Sequence, residues 1–103
     1  MKIYIIHCPK FSENYFERIR ETEKRLTEYG HIIMNPLPAG VEEREPEWDN
    51  INFYRTYASQ INSSDMVYAM IGWEETNLSE LEMKDAMDLK KHIAFEQLPK
   101  LTS

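Results

Sequence analysis

Four short apolar runs separated by segments of helical period constrain this chain more than any other feature. "KIYIIHC" (Lys2–Cys8), "HIIMN" (His31–Asn35), "MVYAMI" (Met66–Ile71) and "HIAFE" (His92–Glu96) are short and mostly β-branched or aromatic, so they read as strands. Their near-continuous apolar character predicts a sheet covered on both faces. Strands joined through helices need crossover connections and therefore pair in parallel. Right-handed crossovers place helices on both faces. The β-α-β-α-β-α-β order predicts a small three-layer α/β fold, a doubly wound parallel sheet of order 2-1-3-4.

The intervening segments carry the helical signal. "SENYFERIRETEKRLTEYG" (Ser12–Gly30) has Ser12 as an N-cap candidate and an apolar stripe of Tyr15, Phe16, Ile19, Thr22 and Leu26. Gly30 suits the position just past a helix end. A second helix is predicted from about Pro46 to Asn62, where Trp48, Ile51, Tyr54, Ala58 and Ile61 recur at three and four residues. The segment before it, Pro36–Asp49, holds prolines, a glycine and acidic residues and reads as a loop. A third helix is predicted from about Leu78 to Lys91, and a short polar tail closes the chain at 97–103.

At 103 residues the chain makes one domain, 1–103, able to bury roughly two-thirds of its unfolded surface. The net charge is −6, with 18 acidic against 12 basic residues and no basic patch. That balance argues against a nucleic-acid polymer as partner, because polymer binding concentrates Lys and Arg against phosphates. A single small phosphate stays compatible, since helix N-termini can hold one. Cys8 is the one cysteine, so no intrachain disulfide forms, as in a reducing compartment. No apolar run approaches the ~18 residues of a membrane span, and Met1–Cys8 lacks the features of a signal peptide. The expectation is a cytoplasmic protein with no membrane partner.

In a doubly wound sheet, ligands bind beyond the strands' carboxyl ends, where the strand order reverses. Here that place is lined by His7, Cys8, Pro9, Gly72, Trp73 and the start of the third helix. The segment Ile71–Met87 also holds five carboxylates: Glu74, Glu75, Glu80, Glu82 and Asp85. On a helical wheel, Leu78, Leu81, Ala86 and Leu89 form an apolar arc, and Glu82 falls inside it. Asp85 lies near the arc, so the wheel leaves two candidates. Glu82 is nearer the helix start. Burial there raises a carboxylate pKa, while the helix N-terminus lowers it. An ionised but poorly hydrated carboxylate is a usable nucleophile. The competing structural reading is a Glu that reaches solvent along its stem or pairs with an Arg. Asn77 followed by Glu80 resembles a capping box, which gives Glu80 a structural role.

Other candidates carry weaker signals. Cys8 and His7 are neighbours on a strand and so point to opposite faces, which disfavours a nucleophile–base pair. His7, His31 and His92 lack metal-ligand spacing, so no metal is expected. Trp73 and Tyr57 could stack on a base, although aromatics at such places more often belong to a core. Only three glycines occur, at 30, 40 and 72, and none makes a phosphate loop. No cofactor is expected.

The stretches "MKIYIIHCP", "GHIIMNP", "FYRTY", "SDMVYAMIGWE" and "TNLSELEMKDA", in that order over about Met1–Glu96, resemble the nucleoside 2-deoxyribosyltransferase-like superfamily. The likeness is to its branch of short bacterial and phage proteins. The resemblance implies a flavodoxin-like, Rossmann-like fold and a small nucleoside or nucleotide ligand. It also implies N-glycosidic bond cleavage or transfer, and a homo-oligomer, a dimer or larger. It places the nucleophilic Glu at Glu82 and the motif's trailing Ala at Ala86. The substrate-binding positions it implies are His7, Cys8, Pro9, Tyr57, Gly72, Trp73, Thr76 and Ser79, with Tyr54 as a further base contact. Arg55 is retained as a phosphate contact or carboxylate partner. The chain departs from the pattern at Cys8 and Leu78, where the family has Gly, and at Tyr57, where it has Asp. Three readings follow: an enzyme using Glu82, a nucleotide-binding protein of the same fold without the chemistry, or a structural or interaction role with the cleft filled by Leu78 and Cys8.

Overall fold

The computed structural model describes residues 1–9, 11–37 and 51–97, with the backbone alone for 51–56. These residues form β1 (Lys2–Ile6), α1 (Tyr15–Glu28), β2 (Ile32–Ile33), α2 (Ile51–Ser63), β3 (Met66–Ala69), a 3-10 turn (Trp73–Glu75), α3 (Asn77–Asp88) and β4 (His92–Phe95). The sheet order is β2-β1-β3-β4 and every neighbouring pair is parallel, as the alternation predicts. The acidic segment, the predicted helix start at Pro46, the side chains of Trp48, Ile51, Tyr54 and Arg55, and the tail beyond Gln97 lie outside the described residues.

β1 is the central strand, and its residues alternate between two cores. Ile3 and Ile5 point toward α1 and join Tyr15, Ile19, Leu26 and Met70. Tyr4 and Ile6 point toward α2 and α3 and join Tyr57, Ile61, Val67, Met83 and Ala86. All four β1 side chains are fully buried, which is why the run lacks the apolar–polar alternation of a half-exposed strand. Among the described residues no helix is long and apolar enough to cross a membrane.

The elements are shorter than the sequence predicts, for identifiable reasons. β2 pairs over two residues, and Asn35 then takes the place of a longer strand. The Ile5 N–H donates to Asn35 Oδ1 at 2.9 Å, and Asn35 Nδ2 donates to the Ile5 carbonyl at 2.8 Å. α1 starts at Tyr15 and is not capped by Ser12. The Ser12 N–H is used in a turn to the Pro9 carbonyl, and Asn14 enters the helix in the left-handed region. At the other end of the sheet, Lys91 Nζ donates to the Asn62 and Ser64 carbonyls, tying the end of α2 to the start of β4.

Gly72 sits where β3 turns toward α3, with φ +94°. A Cβ there would stand 2.9 Å from Pro9 Cδ. Both the left-handed backbone and the contact exclude a side chain. Gly72→Ala is expected to lower stability by roughly 1–3 kcal/mol. A denaturation midpoint equal to wild type would contradict this.

Candidate active site

The candidate site is built where β1 and β3 end and α3 begins. After Gly72 the chain makes its 3-10 turn, and Thr76 caps α3, its hydroxyl accepting from the Ser79 N–H at 3.2 Å. The predicted Asn77–Glu80 capping box is therefore displaced by one residue: Thr76 is the N-cap, its backbone is extended, and Ser79 occupies the third helical position.

α3 buries Ser79, Glu82, Met83 and Ala86 against the sheet. The leucine-based wheel has the phase partly wrong. Leu81 and Leu89 are 46% and 44% exposed, whereas Glu82 is 5% exposed. Glu80 faces solvent and Asp85 is half-buried. Of the two carboxylates the wheel left open, Glu82 is the buried one.

A carboxylate this deep requires polar partners. Tyr4 supplies one, its hydroxyl donating to Glu82 Oε2. Alternation along β1 sends Tyr4 to the α3 side, and the Tyr57 ring meets the Tyr4 ring edge-on at 6.0 Å. Tyr57, 6% exposed, thus lies in the core beside the residue that holds Glu82. This hydrogen bond fixes the orientation of the Glu82 carboxyl group. Such a group can act as an oriented nucleophile or as a hydrogen-bond acceptor for a ligand.

The other predicted residues divide between the two sides of the sheet. His7 is half-buried, and its carbonyl accepts from Ser79 Oγ at 3.4 Å, which joins the end of β1 to α3. Pro9 is buried against Gly72. Trp73 packs on the α3-side core and approaches Phe95, with ring centroids 6.5 Å apart. Gly72, Trp73, Thr76, Ser79, His7 and Glu82 are therefore grouped by the β1 and β3 ends and the start of α3. Leu78, at a family glycine position, packs against the same core.

Cys8 belongs to the α1-side core and is 3% exposed. Burial pushes its thiol above the ordinary value of 9.0, and the nearby Arg18 offsets this only in part. The folded state holds this proton more tightly than the unfolded chain. The resulting stability is complete below the ordinary thiol pKa and is lost as pH rises through the folded value. A thiol-specific disulfide reagent at neutral pH should react more than about 10-fold slower with native than with denatured protein. Equal rates would contradict the burial of this thiol.

A cavity of about 450 Å³ lies on the α1 side, lined by Arg18, Glu21, Thr22, Arg25, Ile71, Glu96 and Gln97. Arg18 Nη2 donates to the Ile71 carbonyl at 3.2 Å and meets Glu96 Oε1 at 3.4 Å. The Ile71 N–H donates to the same oxygen at 2.9 Å. Among the described residues no group of three or more His, Cys, Asp or Glu side chains is placed to hold a metal ion.

Tyr4 is the site residue that sequence reasoning missed. Its signal was its place in β1, two residues from Ile6 and so on the same face. Which helix meets that face is a tertiary fact.

Residues 1–95 match the family model described as a domain of unknown function, DUF4406. No curated protein matches significantly. Among solved structures, the chain is similar to the CMP N-glycosidase BcmB of Clostridium botulinum. The TM-score is 0.67 at 17% identity, covering 92% of this chain and 70% of that one. It is also similar to a 2-deoxyribosyltransferase from the psychrotolerant bacterium Bacillus psychrosaccharolyticus. There the TM-score is 0.64 at 25% identity, covering 92% and 71%. The fold is that of the nucleoside 2-deoxyribosyltransferase-like proteins, and the chain belongs to the DUF4406 family.

Proposed function

We propose that the protein cleaves or transfers the N-glycosidic bond of a nucleoside or nucleotide, with Glu82 as the nucleophile. The observation that carries this reading is the buried Glu82 carboxylate, oriented by the Tyr4 hydroxyl beside the β1 and β3 ends. In the step proposed, a Glu82 oxygen forms a bond to C1′ of the sugar. The C1′–N bond breaks, its electron pair leaves with the base, and the base takes a proton from solvent. Water or a second base then attacks C1′ and releases Glu82 as carboxylate. The similarity to a CMP N-glycosidase and a 2-deoxyribosyltransferase supports this class of reaction. In this reading Trp73 would stack on the base, and Thr76 and Ser79 would meet the sugar hydroxyls.

A second reading is a binding protein without turnover. The buried Tyr57 favours it, because the resembled enzymes place an Asp there. Chromatography separates the two. Incubation with a panel of nucleosides, deoxynucleosides and their monophosphates, with and without a second free base, is expected to release base. Exchange of bases marks a transferase and release alone a hydrolase. Ligand-induced thermal stabilisation without any release over hours would replace the enzyme reading with the binding one.

A further inference from the structure

We propose that the cavity on the α1 side of the sheet binds a small organic molecule through an oxyanion group, a carboxylate or a phosphate, held by Arg18 and Arg25. Its volume of about 450 Å³ lies within the roughly 300–1,000 Å³ of small-molecule pockets. One wall is a single face of α1. Arg18, Glu21, Thr22 and Arg25 recur there at three and four residues, so their side chains line up along the helix. The opposite wall comes from the segments just past the ends of β3 and β4, through Ile71 and Glu96.

Both arginines are held in place without being used up. Arg18 donates to the Ile71 carbonyl at 3.2 Å and to Glu96 Oε1 at 3.4 Å, in each case from Nη2. Arg25 Nη2 donates to the Tyr68 hydroxyl at 3.2 Å and stands 4.0 Å from Glu96 Oε2. A guanidinium carries five N–H donors in a planar fork. Among the described residues, Nε and Nη1 of the two arginines meet no protein acceptor. Charge-assisted hydrogen bonds ordinarily close to about 2.7–2.9 Å, so Glu96 satisfies the pair only in part. Glu96 is itself fixed between them, because the Ile71 N–H donates to its Oε1 at 2.9 Å. One carboxylate thus faces two cations. Glu21, the other acidic residue of the lining, is exposed and forms no ion pair with either arginine among the described residues. Excess positive charge, open fork donors and enclosed volume therefore coincide. Carboxylates and phosphates match that fork, since two of their oxygens can accept parallel N–H bonds. Ile71 and Gln97 add an apolar and an amide side chain to the lining, which suits an organic acid or phosphate ester over a bare ion.

The test is an NMR titration of the ¹⁵N-labelled protein with succinate and with glycerol 3-phosphate, at constant ionic strength. Saturable shifts are expected at the Arg18 and Arg25 Nε–H groups and at the Ile71 amide, with a Kd of about 10 mM or tighter for at least one probe. The tighter probe assigns the group as carboxylate or phosphate. Arg25→Gln should weaken that binding by at least about 10-fold. Arg25 is exposed on α1, so its replacement leaves the fold intact, and an unchanged amide spectrum of the core verifies this. Lys24→Gln removes the same charge from the neighbouring exposed position outside the cavity, and it should weaken binding less than about 2-fold. No saturation with either probe, shifts that spare Ile71 and both arginines, or equal losses in the Arg25 and Lys24 variants would each overturn the proposal. Base release plays no part in the titration, so its outcome is independent of the Glu82 reaction.

Discussion

Glu82→Gln is expected to lower base release by at least about a thousand-fold while leaving the protein folded. Glutamine matches glutamate in shape, and its carbonyl oxygen can still accept from the Tyr4 hydroxyl, so the buried contact survives. What disappears is the negative charge and the nucleophilic oxygen. A purely structural Glu82 gives the opposite pattern, because a neutral amide avoids the cost of a buried charge and stability holds or rises without loss of function. Tyr4→Phe is the companion variant. It keeps the edge-on contact with Tyr57 but removes the group that orients Glu82. Its activity should fall between wild type and Glu82→Gln. Base release from Glu82→Gln at the wild-type rate would remove Glu82 from the mechanism.

Asn35→Ala should cost roughly 2–4 kcal/mol of stability, because one side chain satisfies both polar backbone groups of Ile5. Ile5 is fully buried in the central strand, so water cannot readily replace the lost partners. At this chain size a loss of that order lowers Tm by about 10 °C or more. Asn35→Asp distinguishes the bond pattern from mere polarity. It keeps an acceptor for the Ile5 N–H but sets a carboxylate oxygen against the Ile5 carbonyl, so it should rescue little. A melting temperature within a degree or two of wild type for either variant would show that the clamp carries no weight.

The topology was legible because it rests on two local signals, apolar runs too short for helices and stripes too long for strands. Element ends were less legible, because they depend on single contacts between distant segments. Asn35 reads as the last residue of the second strand, yet it is its side chain that completes the pairing of β1. Ser12 reads as a cap, yet the turn at Pro9 claims its N–H. For the site, helical phase singled out Glu82 and Asp85, and burial separated them. The leucines misled, since Leu81 and Leu89 lie outside the packed face while the smaller Ser79 and Ala86 lie within it. Small residues fit where a helix sits close to a sheet, and hydrophobicity alone ranks them too low. Tyr4 could not be paired with Glu82 from the sequence, because 78 positions separate them.

The contacts of Arg18 and Glu96 with Ile71 give the loop before Gly72 a mooring on the far side of the sheet from Glu82. The loop that leads into α3 and Glu82 is thus held partly from behind, by charged groups on the α1 side of the sheet. If the proposed function holds, substitutions at positions 18 and 96 would act on the Glu82 side through the position of this loop. Such changes would enter natural or laboratory variation as remote effects, and an inspection confined to the surroundings of Glu82 would overlook them.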